Sequence, residues 1–184
     1  MEAIASAGDE SKAGTERGGN INAAVFEEIF EAHYKRVLNF CAYRISDRHE
    51  AEDLVSQVFE KVIANYGAYR PMDVPLEAWI ITIARNVVND YFRQKKKLSC
   101  VPLDLANDTA CAKNQWPEET LMANERKAAL MRALDALSEK ERTVVAMKFA
   151  GELKNVDIAQ AMSLSESNVG IILHRSLKKM RPFF

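Results

Sequence analysis

The chain has 184 residues, 48% of them hydrophobic, with only 7 glycines and 5 prolines. That is enough apolar material for one ordinary domain or two small ones, and it favours long helices over a turn-rich sheet. A formal net charge of −1 excludes a globally basic protein, so any field that attracts nucleic acid must come from local segregation of charge.

Residues 1–21 are small, polar and charged, without the apolar centre of a signal peptide, and read as a flexible tail. From Asn22, the residues Phe26, Ile29, Phe30, His33, Val37, Phe40 and Cys41 recur at helical spacing and predict a first helix to about Ile45. Asp47 and Glu50 have the spacing of a capping box. They open a second helix that buries Ala51, Leu54, Val55, Val58, Phe59 and Val62 and ends near Gly67. The segment AYRPMDVP must be a loop, with Pro75 in the first turn of a third helix and Asp73 or Val74 just before it. Trp79, Ile80, Ile83, Ala84, Val87, Val88 and Tyr91 form the apolar stripe of that helix, which runs out into Arg93 and Lys95 to Lys97.

Periodicity stops at residues 98–117, which hold Pro102 and Pro117 and read as an interdomain linker. It returns at Glu118 and continues through Leu121, Ala128, Met131, Leu134 and Leu137. Ser138 and Glu141 form a second capping box, opening a helix through Val144, Val145 and Phe149 that Gly151 stops. Asn155 is the expected cap of the next helix and Ser165 of the last. No useful strand alternation and no internal repeat occur. The expected fold class is all-α: two small helical domains, residues 22–97 and 118–184, joined by a flexible linker.

The stretch NVDIAQAMSLSESNVGIILHRSLKKMR, Asn155 to Arg181, has the pattern of a helix-turn-helix. Ile158, Ala159 and Met162 would pack the first helix, Ser163-Leu164-Ser165 would form the turn, and Val169, Leu173 and Leu177 would bury the second helix. Ser165, Glu166, Ser167, Asn168 and Ile171 are then the candidates for base edges and nearby phosphates. Arg175, Lys178, Lys179 and Arg181 are candidates for phosphate alone. A capped helical hairpin with a solvated basic end is the plain alternative.

Three stretches in order resemble the extracytoplasmic-function group of bacterial sigma factors: EAEDLVSQVFEKV at Glu50 to Val62, WIITIARNVVNDYFRQKKK at Trp79 to Lys97, and Leu137 to Arg181. The resemblance covers about Val25 to Met180. It implies a non-enzymatic protein that binds core RNA polymerase, through the β′ clamp helices and the β flap, and reads the −35 and −10 elements of promoter DNA.

On this resemblance Glu52, Asp53, Leu54, Gln57, Val58 and Phe59 belong to the polymerase-docking helix, although an apolar residue on such a helix serves as readily for core. The family's Gln-acidic pair is Ser56-Gln57 here. Asn86, Asp90, Arg93, Lys95, Lys96 and Lys97 would meet the −10 element, Asn86 and Asp90 sharing one helix face. Tyr66, Tyr69 and Arg70, in the preceding loop, would stack on and hold an extruded base. Trp79 reads as core.

The family's basic positions early in the recognition helix are Gly170 and Ile172 here, which predicts weak binding by the isolated C-terminal domain. Tethering to polymerase would offset that. Ile171 and Ile172 could instead face a thymine methyl or an inhibitory partner. An anti-sigma factor, often membrane-anchored in the family, is an implied partner; no cofactor, metal or small-molecule substrate is. His33, His49 and His174 form no metal constellation with the cysteines. A dimeric helix-turn-helix regulator, and a decoy that binds polymerase or an anti-sigma factor, are the rival readings. The protein is expected in the cytoplasm.

Overall fold

The computed structural model describes residues 21–99 and 121–184. All of the expected tail except Ile21, which packs against the core, and most of the expected linker lie outside the described residues. Among those residues every regular element is helical.

Helix α1, Ala23–Arg44, starts where the Asn22 side chain accepts a hydrogen bond from the Ala24 amide at 3.2 Å. Helix α2, Arg48–Asn65, starts at Asp47, whose carboxylate accepts from the Glu50 amide at 3.0 Å. Only this half of the expected capping box stands. The Glu50 carboxylate reaches across to Lys95 at 3.3 Å, a charge-assisted contact that joins α2 to α3. A single 3₁₀ turn, Tyr66–Ala68, and a loop lead into α3, Leu76–Ser99.

Pro75 stands one residue earlier than expected. Its carbonyl accepts the first helical bond from the Trp79 amide at 3.0 Å, so it precedes the first turn instead of lying in it. Helix α3 also runs past the expected domain edge at residue 97.

Helix α4 spans Leu121–Asp135; the expected start at Glu118 falls outside the described residues. Ser138 and Glu141 complete a reciprocal capping box at α5, Glu139–Val145. The chain then widens into a π turn, Ala146–Ala150, with the Gly151 amide bonded to the Ala146 carbonyl at 2.9 Å. The extra residue in that turn shifts the helical register. Met147 and Ala150 therefore point inward, and Phe149, expected on the apolar side, is 49% exposed.

Helix α6 is Asn155–Met162, and its cap is Lys154, not Asn155. The Lys154 carbonyl already accepts from Ile158, which makes Asn155 the first helical residue and leaves its side chain too far along to cap. Ser163 ends α6 in the left-handed conformation at φ 53°, and Ser165 caps α7, Glu166–Met180, through the Asn168 amide at 3.2 Å.

Helices α1, α2 and α3 pack on one another, and α5, α6 and α4 pack on α7. The first core holds Val37, Phe40, Val55, Val58, Val62, Ala84 and Val87; the second holds Leu134, Val144, Val145, Ile158 and Val169. The two groups share one continuous buried cluster, because the π turn packs along α1 and α6 packs against α3.

In α7 the buried positions are Val169, Leu173, Ser176 and Met180, while Leu177, expected in the core, is 47% exposed. At 3.6 residues per turn Ser176 and Met180 fall within about 20° of Val169 around the axis, whereas Leu177 falls about 80° away.

Candidate polymerase and nucleic-acid interfaces

The apolar spacing of α2 turns Leu54, Val58 and Phe59 into the core, where each is at most 3% exposed. Phe59 also meets the Phe26 ring edge-on and the Phe30 ring at a tilt. The outward face of α2 carries Asp53, Ser56, Gln57 and Glu60 at spacings of three and four. Glu52 lies at its edge, half-buried and held by Arg48 at 2.7 Å. Of the residues assigned to polymerase docking, only the polar ones are therefore presented to a partner.

The loop before α3 is organised by Tyr69. Its hydroxyl donates to the Val74 carbonyl at 3.1 Å, and its ring lies 5.0 Å from that of Trp79 and 6.2 Å from that of Tyr66. Burial, then the nearby Glu77 carboxylate, pushes the Tyr69 phenol above its ordinary range. Arg70 folds back onto the Gly67 and Tyr69 carbonyls at 2.9 and 3.0 Å. Three aromatic rings thus cluster at the start of α3, with the Arg70 side chain folded back on the same loop. Trp79 is half-buried and packs against both Tyr69 and the core.

Farther along α3, Asn86 is exposed, and Asp90 sits between Arg93 at 2.9 Å and Lys61 of α2 at 3.7 Å. Lys95 is fastened to Tyr91 at 2.7 Å as well as to Glu50. The Tyr91 hydrogen bond is the main reason its ammonium sits above the ordinary lysine range. Lys96 and Lys97 project as exposed cations at the end of the helix.

At α7 the first turn presents Glu166, Ser167 and Asn168, all exposed, behind the Ser165 cap. Ile171 is 48% exposed on that side. Ile172 instead packs against the core, so it occupies no vacant phosphate-facing position. Arg175, Lys178 and Arg181 are exposed. Lys179 is occupied by Glu141 of α5 at 2.8 and 2.9 Å, which secures α7 to its scaffold. That bond, with the Ser138 amide next, holds the Glu141 carboxyl below its ordinary range.

Sequence reasoning missed four arginines. Arg44 is only 3% exposed and donates to the Glu139 carbonyl at 3.0 Å, to the Thr143 hydroxyl, and to the Glu139 carboxylate at 3.2 Å. Arg85 donates to the Ala161 carbonyl, Arg142 to the Tyr43 carbonyl at 2.6 Å, and Arg36 pairs with Glu152 at 2.8 Å. Each contact joins one helical group to the other. Nothing in the local sequence signals this; an arginine in the last turn of α1 reads as a complement to the helix dipole. Among the described residues no group of three or more His, Cys, Asp or Glu side chains could hold a metal, and no helix is long and apolar enough to cross a membrane.

The family model for sigma-70 region 2 matches residues 29–98, and that for sigma-70 region 4 matches residues 127–180. The chain is 26% identical to the ECF RNA polymerase sigma factor SigX of Bacillus subtilis over 159 residues, covering 85% of this chain and 81% of the relative. It is 24% identical to the ECF RNA polymerase sigma factor BldN of Streptomyces coelicolor, covering 90% of this chain and 62% of that longer relative. In fold it is similar to the sigma factor RpoE of Bartonella quintana, solved in complex with the anti-sigma factor NepR. The TM-score is 0.69 at 20% identity, over 86% of this chain and 95% of the other.

Proposed function

The chain belongs to the sigma-70 family, as an RNA polymerase sigma factor of the extracytoplasmic-function group, and from that premise we propose how its surfaces divide the work. Residues 22–97 form the unit that engages polymerase and the −10 element, and residues 118–184 the unit that engages the −35 element. The outward face of α2, with Asp53 and Gln57 at its centre and Glu52 at its edge, docks on the polymerase β′ clamp helices. Leu54, Val58 and Phe59 keep that face in place from beneath.

The Tyr66–Tyr69–Trp79 platform receives a base extruded from the non-template strand. Extrusion costs a few kcal/mol, which stacking at ~1–3 kcal/mol per base offsets. Arg70 and the Asn86–Asp90 face then contact the strand around it. Arg93, Lys96 and Lys97 neutralise phosphate, while Lys95 mainly braces α3 against α2. The first turn of α7 reads −35 base edges with Glu166, Ser167, Asn168 and Ile171, and Arg175 and Lys178 bind phosphate.

The family is not an enzyme class, and this chain performs no catalytic step of its own. It acts in the cytoplasm, where polymerase is, and an anti-sigma factor is its expected regulator, as RpoE has NepR.

One observation carries the division of roles: exposed polar side chains cluster on three separate faces, on α2, α3 and the first turn of α7, each backed by buried apolar side chains of the same helix. Run-off transcription with bacterial core polymerase and fragmented genomic DNA tests it. New starts sharing two upstream elements are expected, and Asn86→Ala should abolish them without loss of core binding. Core binding without new starts would favour the decoy. Duplex binding without core binding would return the chain to the dimeric regulators.

A further inference from the structure

The C-terminal ends of α1 and α3 meet the junction of α4 and α5 around a cleft of about 440 Å³. Small-molecule sites range over ~300–1,000 Å³, so the cleft has the size of one. Its lining has two kinds of surface. Arg44, Lys95, Lys96 and Arg142 are cationic, against the single carboxylate of Glu139, while Phe92 and Leu137 are apolar. Of the surfaces assigned above to polymerase and promoter, only that of Lys95 and Lys96 borders it.

We infer that this cleft binds a small phosphorylated molecule with an aromatic ring, of which a nucleoside diphosphate is the plain case. The phosphates lie on the guanidinium and ammonium groups, and the ring lies against Phe92 and Leu137.

The cations are not all satisfied within the protein. Arg44 is 3% exposed and has Glu139, at 3.2 Å, as its one carboxylate. Arg142 reaches Asp135 at 2.9 Å and the Tyr43 carbonyl at 2.6 Å, but its Nη2 is buried with no acceptor among the described residues. A buried donor in that state is costly, and a phosphate oxygen would supply the acceptor. Lys95 is taken by Glu50 and Tyr91. Lys96 is exposed and makes no ion pair among the described residues. Burial, opposed by Glu139 and reinforced by the charge of Arg142, lowers the Arg44 pKa. Two guanidiniums close enough to repel each other, with one lining carboxylate, favour an added anion. Their planar forks match phosphate oxygens in pairs. The Glu139 side chain is 70% exposed, so it can turn toward solvent as phosphate arrives.

The apolar walls argue against a purely inorganic anion. Phe92 is half-buried, with the Arg44 guanidinium 5.5 Å from its ring centroid, and Leu137 is 8% exposed. Inorganic phosphate would leave both walls against its hydration water; a flat ring covers them. Stacking on an aromatic side chain tolerates any base, because every base has a π-face.

ADP and inorganic pyrophosphate, titrated calorimetrically into the full chain in magnesium-free buffer, test the site. ADP should bind once per chain and about tenfold more tightly than pyrophosphate, with GDP within about threefold of ADP. Lys96→Gln should weaken ADP about threefold. Lys97→Gln, the same charge change one position on and outside the lining, should leave ADP binding unchanged. Phe92→Leu should weaken ADP about tenfold and pyrophosphate hardly at all. Because Lys96 is exposed, its variant keeps the fold even where Phe92→Leu does not. No binding heat with millimolar ADP overturns the site. So do equal losses in Lys96→Gln and Lys97→Gln, which mark a diffuse basic surface, and ADP binding no tighter than pyrophosphate. The titration needs only the protein and the nucleotide, so its outcome is independent of promoter recognition.

Discussion

Two glycines occupy opposite situations. A Cβ added to Gly151 would lie 2.8 Å from the Met147 carbonyl oxygen and 3.4 Å from Ile81, whereas one added to Gly170 meets nothing within 4 Å. Gly151→Ala should therefore destabilise the protein by ~1–3 kcal/mol in denaturant unfolding. Gly170→Ala, in mid-helix, should stabilise it by about 1 kcal/mol in the same measurement. Gly170→Arg should tighten promoter-fragment binding and steepen its salt slope by ~0.9 for each phosphate gained. Glycine at 170 is thus not a packing requirement.

Glu141 shows how one residue serves two elements: it completes the α5 cap and fastens Lys179 of α7. Its folded pKa lies below the ordinary value of 4.5. The stability it contributes is therefore complete above that value and is lost as pH falls through the folded pKa. Thermal unfolding across the acid limb should show a decline that Glu141→Gln flattens.

At the scale of elements, α7 depends on its cap and its register. Ser165→Ala removes the acceptor for the Asn168 amide and should cost about 1 kcal/mol. Because the same first turn carries Glu166 to Asn168, −35 binding should weaken as well. Leu177 is exposed while Ser176 is fully buried. Leu177→Lys should thus change stability by less than about 0.5 kcal/mol; a loss of ~2 kcal/mol or more in chemical denaturation would place Leu177 back in the core.

Helical patterns spaced i, i+4, i+8 slip around the axis, and a leucine attracts the assignment to itself over a neighbouring serine. The same limitation explains Phe149. Nothing in AMKFAG announces a π turn, and one added residue reverses which side chain faces in. Asn155, by contrast, was misplaced by a single residue, because the capping position is set by where the extended backbone of Lys154 turns helical.

Across the whole molecule, Ile81 illustrates what one helix face cannot reveal. It is fully buried, and it lies about 20° round α3 from Val88, at the edge of the stripe, where Gly151 of the other helical group comes against it. The second helical group covers it. Ile81→Ala should accordingly cost ~2–4 kcal/mol in the intact chain. In a fragment of residues 21–99 that folds by itself it should cost much less; equal losses in both would mean that Ile81 belongs to the first core alone.

The sequence by itself determined the helices, their order, the caps at Asp47, Ser138 and Ser165, and the polar faces of α2, α3 and α7. Each of these follows from residues a few positions apart, where helical periodicity and local hydrogen bonding act. Only the tertiary structure decided that Lys95 and Lys179 are braces, and that Arg36, Arg44, Arg85 and Arg142 fasten one helical group to the other. Those roles rest on contacts between residues up to 116 positions apart. A charged side chain looks the same in sequence whether water or a distant carbonyl will satisfy it; the packing of the two groups is what removes the water.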